Sequence, residues 1–173
     1  MNGTNNGWHV LYVKSRHEKK VYEALKDLSM EVFLPLVKEH RQWKERKAFV
    51  QKPLFPSYVF VYINSSLNFY KALSVSGACM YIRFGIEYAK ISEEEINKIK
   101  LLIGKEYITN IETSSMMPKI GDLMEIKDGP LSGFNCKVVK INNEHKIIVR
   151  IESLQQNITA AIPASFLFNK LTV

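Results

Sequence analysis

The run Phe55–Ile63, FPSYVFVYI, limits what this chain can fold into more than any other stretch. Its Tyr, Val, Phe and Ile residues suit a pleated, half-buried surface, and the run is the strongest strand signal in the sequence. Proline has no N–H to give to a ladder, so Pro56 is allowed only at the start of this strand or on a sheet edge. The sequence before it, Glu31 to Trp43, begins as a strand (EVFLPLV) and turns basic. Between Lys38 and Lys52, Lys38, Arg41, Lys44, Arg46, Lys47 and Lys52 stand against Glu39 and Glu45. A basic strand, a basic turn and an aromatic strand predict a long hairpin.

A second strand is predicted at Trp8 to Lys14 (WHVLYVK). Behind it, Ser15 and Glu18 have capping-box spacing, and Val21, Ala24, Leu25 and Leu28 recur at helical period, which predicts an amphipathic helix to about Ser29. A short helix is expected over Leu67–Ser76, stopped by Gly77, and a strand over Cys79–Phe84. Ser92 and Glu95 open a second capping box before Ile96, Ile99, Leu102 and Ile103. Tyr107 to Met117 loses all periodicity and is expected to be a linker. After Pro118 come short strand candidates, DLMEI, CKVVKI, HKIIVRIES and ITAAI, separated by Asp128-Gly129-Pro130, Ser132-Gly133 and Asn142-Asn143. Short strands at this spacing indicate a small β-barrel. The expected domains are therefore 1–105, a linker 106–117, and 118–173, in an α+β protein.

Charge adds a direction. Residues 1–110 carry 17 basic against 11 acidic side chains and residues 118–173 carry 7 against 5, so the excess of cations sits in the first domain and favours anionic partners there. Cys79 and Cys136 are far apart and form no C-x-x-C pair, so neither a zinc site nor a disulfide framework is indicated, and a reducing cytoplasm is the expected compartment. No apolar run is long enough to span a bilayer and no signal segment opens the chain, so no membrane partner is expected. His9, His17, His40 and His145 show no metal-ligand spacing. There is no G-x-S-x-G elbow, phosphate loop or dinucleotide fingerprint, and no cofactor, metal or catalytic residue is expected.

The order strand, helix, basic hairpin, helix, strand, helix, linker and small barrel resembles the NusG family of transcription elongation factors from Trp8 to Lys170. Three motifs carry the resemblance: WHVLYVK with its helix, LFPSYVFV (Leu54–Val61) with IRFG (Ile82–Gly85), and the KOW-like segment Pro118–Val139. EHRQWKERKAFVQKPLFPSYVFV is similar to the specialised RfaH and UpxY-type branch, whereas general NusG usually has Gly where Ser57 stands. The resemblance implies an NGN-type antiparallel sheet flanked by helices, followed by a KOW (SH3-like) barrel. It also implies antitermination on long operons, such as those for surface polysaccharide, by binding the RNA polymerase clamp.

On the same basis Phe55, Pro56 and Tyr58, with Trp8 and Phe84, would form an apolar polymerase-binding patch, since aromatic anchors carry most interface energy. The residue pattern alone favours Tyr58 and Phe60 as sheet core, and the motif match reverses that reading for Phe55 and Tyr58. Lys14, Arg16 and Lys20 with Arg41, Lys44, Arg46 and Lys47 are candidates for upstream or non-template DNA, because cations neutralise phosphate and the interleaved Trp43 and Phe49 can stack bases. A solvated hairpin tip accounts for those charges equally well. Leu154 matches the position at which a KOW barrel grips a small-subunit ribosomal protein or Rho, and Gln155-Gln156-Asn157 departs from the general pattern in a way that disfavours Rho. A ribosome-associated RNA-binding KOW protein and the general housekeeping factor are the alternatives.

Overall fold

Alternation along one strand sets the architecture. In the strand β1 (Gly7–Val13), Leu11 and Val13 point to one side and Trp8 and Val10 to the other, and all four are buried. A strand apolar on both faces has to be covered on both. The computed structural model describes residues 6–43, 46–106, 108–114, 122–126, 134–141 and 144–163, and it divides into two compact units, Met1–Ile96 and Asn97–Val173.

In the first unit β1 lies inside an antiparallel sheet with β2 (Val32–Phe33), β5 (Tyr58–Ile63) and β6 (Ala78–Tyr81) in the order β2-β5-β1-β6, and β9 (Lys90–Ile91) also pairs with β1. The helices α1 (Glu18–Asp27) and α2 (Ser66–Ser74) cover one face. Their buried Val21, Leu25, Phe69 and Ala72 join Leu11, Val13, Val59, Val61, Ile63 and Tyr81 in a single core. A third helix, α3 (Glu93–Ile103), contains the division between the units and buries Ile96, Ile99 and Leu102.

Helix ends follow local chemistry with one exception. The Ser92–Glu95 capping box forms as predicted: Glu95 N–H donates to Ser92 Oγ at 3.2 Å and Ser92 N–H donates to Glu95 Oε2 at 3.1 Å. Ser65 caps α2 by accepting from Asn68 N–H at 3.2 Å. The predicted Ser15–Glu18 box does not form. His17 is the N-cap residue, without a side-chain cap, and Glu18 is buried, accepting a hydrogen bond from outside the helix. At the other end of α1, Met30 N–H donates to Leu25 O and Ser29 N–H to Lys26 O around Ser29 at φ 56°, a Schellman stop with serine in the usual glycine place. Gly77 sits at φ 100°, a conformation that residues with a side chain rarely adopt, and a Cβ there would also crowd Val21 Cγ2 at 3.1 Å.

The long hairpin predicted from the basic and aromatic runs is present, in two paired stretches: at its base Val32 pairs with Val61 and Phe33 with Phe60. The basic region pairs with itself, β3 (Leu36–Trp43) against β4 (Arg46–Pro53), in register from Leu36↔Pro53 to Trp43↔Arg46. The aromatic strand β5 pairs with β2 at the base of this hairpin and with β1 on its other side, and a tight turn at Phe55–Tyr58 separates it from β4. The strand predicted over Cys79–Phe84 also divides: β6 ends at Tyr81, and β7 (Arg83–Phe84) and β8 (Glu87–Tyr88) form a separate small hairpin. Gly85 at φ 64° occupies the first turn position there.

The second unit's sheet is formed by β10 (Thr109–Ser114), β11 (Asp122–Ile126), β12 (Phe134–Ile141), β13 (Glu144–Ile151) and β14 (Gln156–Ala161) in the order β10-β14-β13-β12-β11, all antiparallel. The four predicted strands are present. β10 falls within the stretch expected as linker, where its backbone is taken up by pairing with β14. The turns at Asp128-Gly129-Pro130, Ser132-Gly133 and Asn142-Asn143 lie outside the described residues.

One polar group is sealed into the first core. His9 is fully buried among Phe69, Tyr81 and Tyr88; its Nδ1 lies 3.0 Å from Gly7 O, and its Nε2 has no hydrogen-bond partner among the described residues. Burial holds its pKa below the usual 6.5, partly offset by the hydrogen bond with the Gly7 carbonyl, and the nearby Lys90 charge adds a lesser push in the same direction as burial. The unfolded chain therefore takes up a proton below pH 6.5 that the folded chain refuses. Stability is full above that pH and falls as the pH drops through the lowered value, by at most about 1.4 kcal/mol per pH unit. Denaturation midpoints at pH 7.5, 6.5 and 5.5 should decline more for the wild type than for His9→Gln.

Candidate interaction site

The turn Phe55-Pro56-Ser57-Tyr58 is built from its sequence. Proline presets the first central position, Ser57 adopts φ 63° at the second, and Tyr58 N–H donates to Phe55 O at 3.2 Å, which together define a type II turn. Glycine is the ordinary occupant of that second position, so Ser57 has to be held there. Its N–H donates to Glu18 Oε1 at 2.8 Å and its carbonyl accepts from Val13 N–H at 2.8 Å, while Leu54 N–H donates to Pro35 O at 2.8 Å. The turn is thus fastened to the end of β1, the start of α1 and the base of the basic hairpin.

The turn delivers Tyr58 onto the sheet face opposite α1 and α2. The register pairs Trp8 with Tyr62, Val10 with Phe60 and Tyr12 with Tyr58, and pairs Tyr12 with Met80 on the other side. Aromatic rings therefore run down this face, Trp8 against Tyr62 at 5.6 Å, Tyr12 against Tyr58 at 6.2 Å and Phe33 against Phe60 at 5.9 Å. Cross-strand aromatic pairs of this kind stiffen the surface they form. At the turn end the row opens to solvent: Tyr58 is half-buried, Pro56 exposed, Tyr12 39% exposed and Met80 59% exposed. Large apolar side chains grouped in one exposed row are what a protein partner recognises.

Several expected site residues are placed differently. Trp8 and Phe55 are each only 2% exposed. Trp8 donates its indole N–H to Glu93 at 2.6 Å, and Phe55 packs edge-on against Phe60 at 5.6 Å, so both lie beneath the surface rather than on it. Phe84 is 44% exposed and stands on the separate β7–β8 hairpin, two residues before the exposed Ile86. Tyr12 and Met80 were not anticipated; the alternation Trp8, Val10, Tyr12 in WHVLYVK was the available signal for the first, and nothing local marked the second.

Of the expected nucleic-acid contacts, Lys14, Arg16 and Lys20 are exposed at the β1–α1 junction, with Arg16 at φ 63°. Arg41 lies on β3 and Arg46 and Lys47 on β4, opposite Ala48, Trp43 and Gln42 respectively, and Lys44 is outside the described residues. Farther down the hairpin, Lys52 Nζ donates to Glu39 Oε1 at 2.7 Å, and Phe49 is 70% exposed. Leu154, the expected KOW partner contact, is 6% exposed on the 3-10 turn Glu152–Leu154. Among the described residues no group of three His, Cys, Asp or Glu is placed to hold a metal, and no helix is long and apolar enough to cross a membrane.

An antiparallel sheet with helices on it, followed by a five-stranded β unit, defines an α+β protein of the NGN type with a KOW-like β domain. The family profile described as "Transcription termination factor nusG" matches residues 6–100, more than half of the chain, and the chain belongs to the NusG family of transcription factors. It is 24% identical over 149 residues to the transcription termination/antitermination protein NusG of Rickettsia typhi, covering 79% of this chain and 76% of that one. A solved structure described as "Domain interaction in Thermotoga maritima NusG" superposes with a TM-score of 0.57 at 22% identity, covering 97% of this chain and 98% of the other, which supports the fold.

The burial difference between neighbouring aromatics has a measurable consequence. Phe55→Ala empties a packed site and should cost about 3–5 kcal/mol of stability, whereas Tyr58→Ala, half in solvent, should cost about 1 kcal/mol. Thermal unfolding of the two variants should separate them clearly, with Phe55→Ala melting far lower.

Proposed function

We propose that the exposed row Tyr58–Tyr12–Met80, with Pro56 beside it, binds the clamp of RNA polymerase, and that the protein acts as an antitermination and elongation factor that suppresses pausing and termination. The observation that carries this reading is the row itself, apolar, aromatic and open on the sheet face opposite α1 and α2. Family membership supplies the class of partner. Trp8 and Phe55 support the row from beneath, and Phe84 extends the contact on its own hairpin.

A factor that binds better to the closed clamp than to the open one shifts the population toward the closed state, and no bond is made or broken. The basic hairpin with Arg41, Lys44, Arg46 and Lys47, together with Lys14, Arg16 and Lys20, then faces upstream or non-template DNA, a role supported by the cation excess of residues 1–110. The proposal assigns residues 1–105 to the polymerase-binding domain and, because β10 pairs with β14, counts Thr109–Ser114 with residues 118–173 in a KOW domain whose partner is a small-subunit ribosomal protein rather than Rho. Its setting is the cytoplasm, and its targets are long operons of the surface-polysaccharide kind.

Capture of purified RNA polymerase by the full chain tests the reading. The folded double variant Tyr12→Ala, Tyr58→Ala should bind at least roughly tenfold more weakly than the wild type. Equal capture by both would contradict the assignment of this face, and no capture by the wild type would move a ribosome-bound role to the front.

A further inference from the structure

We infer that Glu18 is a positioning residue for the partner-binding turn: its carboxylate selects the orientation of the Pro56–Ser57 peptide, and through it the placement of Pro56 and Tyr58. The inference rests on the proposal that Pro56 and Tyr58 meet a partner.

Type I and type II turns differ mainly by a flip of the central peptide, which here carries the Ser57 N–H. A residue with a side chain at the second central position ordinarily prefers the type I form with negative φ, and Ser57 instead stands at φ 63°. The flipped-out N–H needs an acceptor, and Glu18 Oε1 provides it at 2.8 Å. Both groups are largely closed to water, Glu18 at 7% and Ser57 at 9% exposure, so solvent is a poor substitute for the carboxylate. Glu18 also occupies the first turn of α1, where the helix dipole favours a negative charge. Val13 N–H holds the Ser57 carbonyl from the other side at 2.8 Å, which leaves the Pro56–Ser57 peptide as the movable part and Glu18 as its latch. In this chain the carboxylate does what a glycine at position 57 would do through backbone freedom.

The test uses the full chain as wild type, Glu18→Gln, Glu18→Leu, Ser57→Gly and the double variant Glu18→Leu, Ser57→Gly. It reads the hydrogen-exchange protection of the Ser57 amide and the capture of purified RNA polymerase. Glu18→Gln keeps an acceptor and should behave as wild type. Glu18→Leu should lose protection at Ser57 and weaken capture roughly tenfold. Adding Ser57→Gly should restore capture without restoring protection, an outcome that a merely stabilising role for Glu18 would not give. Unchanged Ser57 protection in folded Glu18→Leu, or failure of Ser57→Gly to rescue capture, would overturn the inference. If the wild type captured no polymerase while Ser57 protection followed Glu18 as described, the latch would stand and the polymerase reading would fall.

Discussion

The antiparallel pairing of β1 with β5, in which Trp8 faces Tyr62, Val10 faces Phe60 and Tyr12 faces Tyr58, determines which side chains of the first unit can reach a partner. Side chains alternate across a sheet, so a slip of one residue would exchange the two faces. It would expose Leu11, Val59 and Val61, which now lie under α1 and α2, and would bury the aromatic row. The penalty of exposing that much apolar surface, about 1.5–3 kcal/mol for each large side chain, keeps the register fixed. The same pairing places Tyr12 between Tyr58 and Met80, so the exposed row is assembled by the sheet rather than by any single segment.

What the ladder cannot fix is the approach of the chain to β5, and the turn at Phe55–Tyr58 takes that role. Pro53 is the last residue of β4, Pro56 presets the first central position of the turn, and the left-handed Ser57 redirects the backbone so that β5 enters beside β1. Because Ser57 is tied to both Val13 and Glu18, the turn, the end of β1 and the first turn of α1 form one hydrogen-bonded junction. Lys14, Arg16 and Lys20 are exposed around the same junction, so the apolar row and a group of cations are both positioned by it.

Much of this was legible in the sequence. β-branched and aromatic runs marked β1 and β5, helical spacing marked all three helices, and the motifs in their order indicated the family and the α+β class. The failures have physical causes. Ser15 and Glu18 have the spacing of a capping box, but the carboxylate is drawn inward by a backbone N–H distant in sequence, and no local rule can show that. The long basic hairpin was legible, but its interruption at the Pro56–Ser57 turn, where Ser57 takes a left-handed φ, was not. Phe55 and Tyr58 look equivalent in LFPSYVFV, yet one lies at the buried start of the turn and the other at its open end, a distinction set by φ at Ser57. Met80 joins the site only through pairing with Tyr12, a long-range contact with no local mark.

The most direct test of the central claim is a hydrogen–deuterium exchange footprint of the full chain, free and bound to purified RNA polymerase. Binding through the sheet face predicts added protection in segments containing Tyr12, Pro56–Tyr58 and Met80, with little change along α1 and α2. Protection confined to residues 146–161, or spread over the helical face while the Tyr12 and Tyr58 segments exchange as in the free protein, would contradict it.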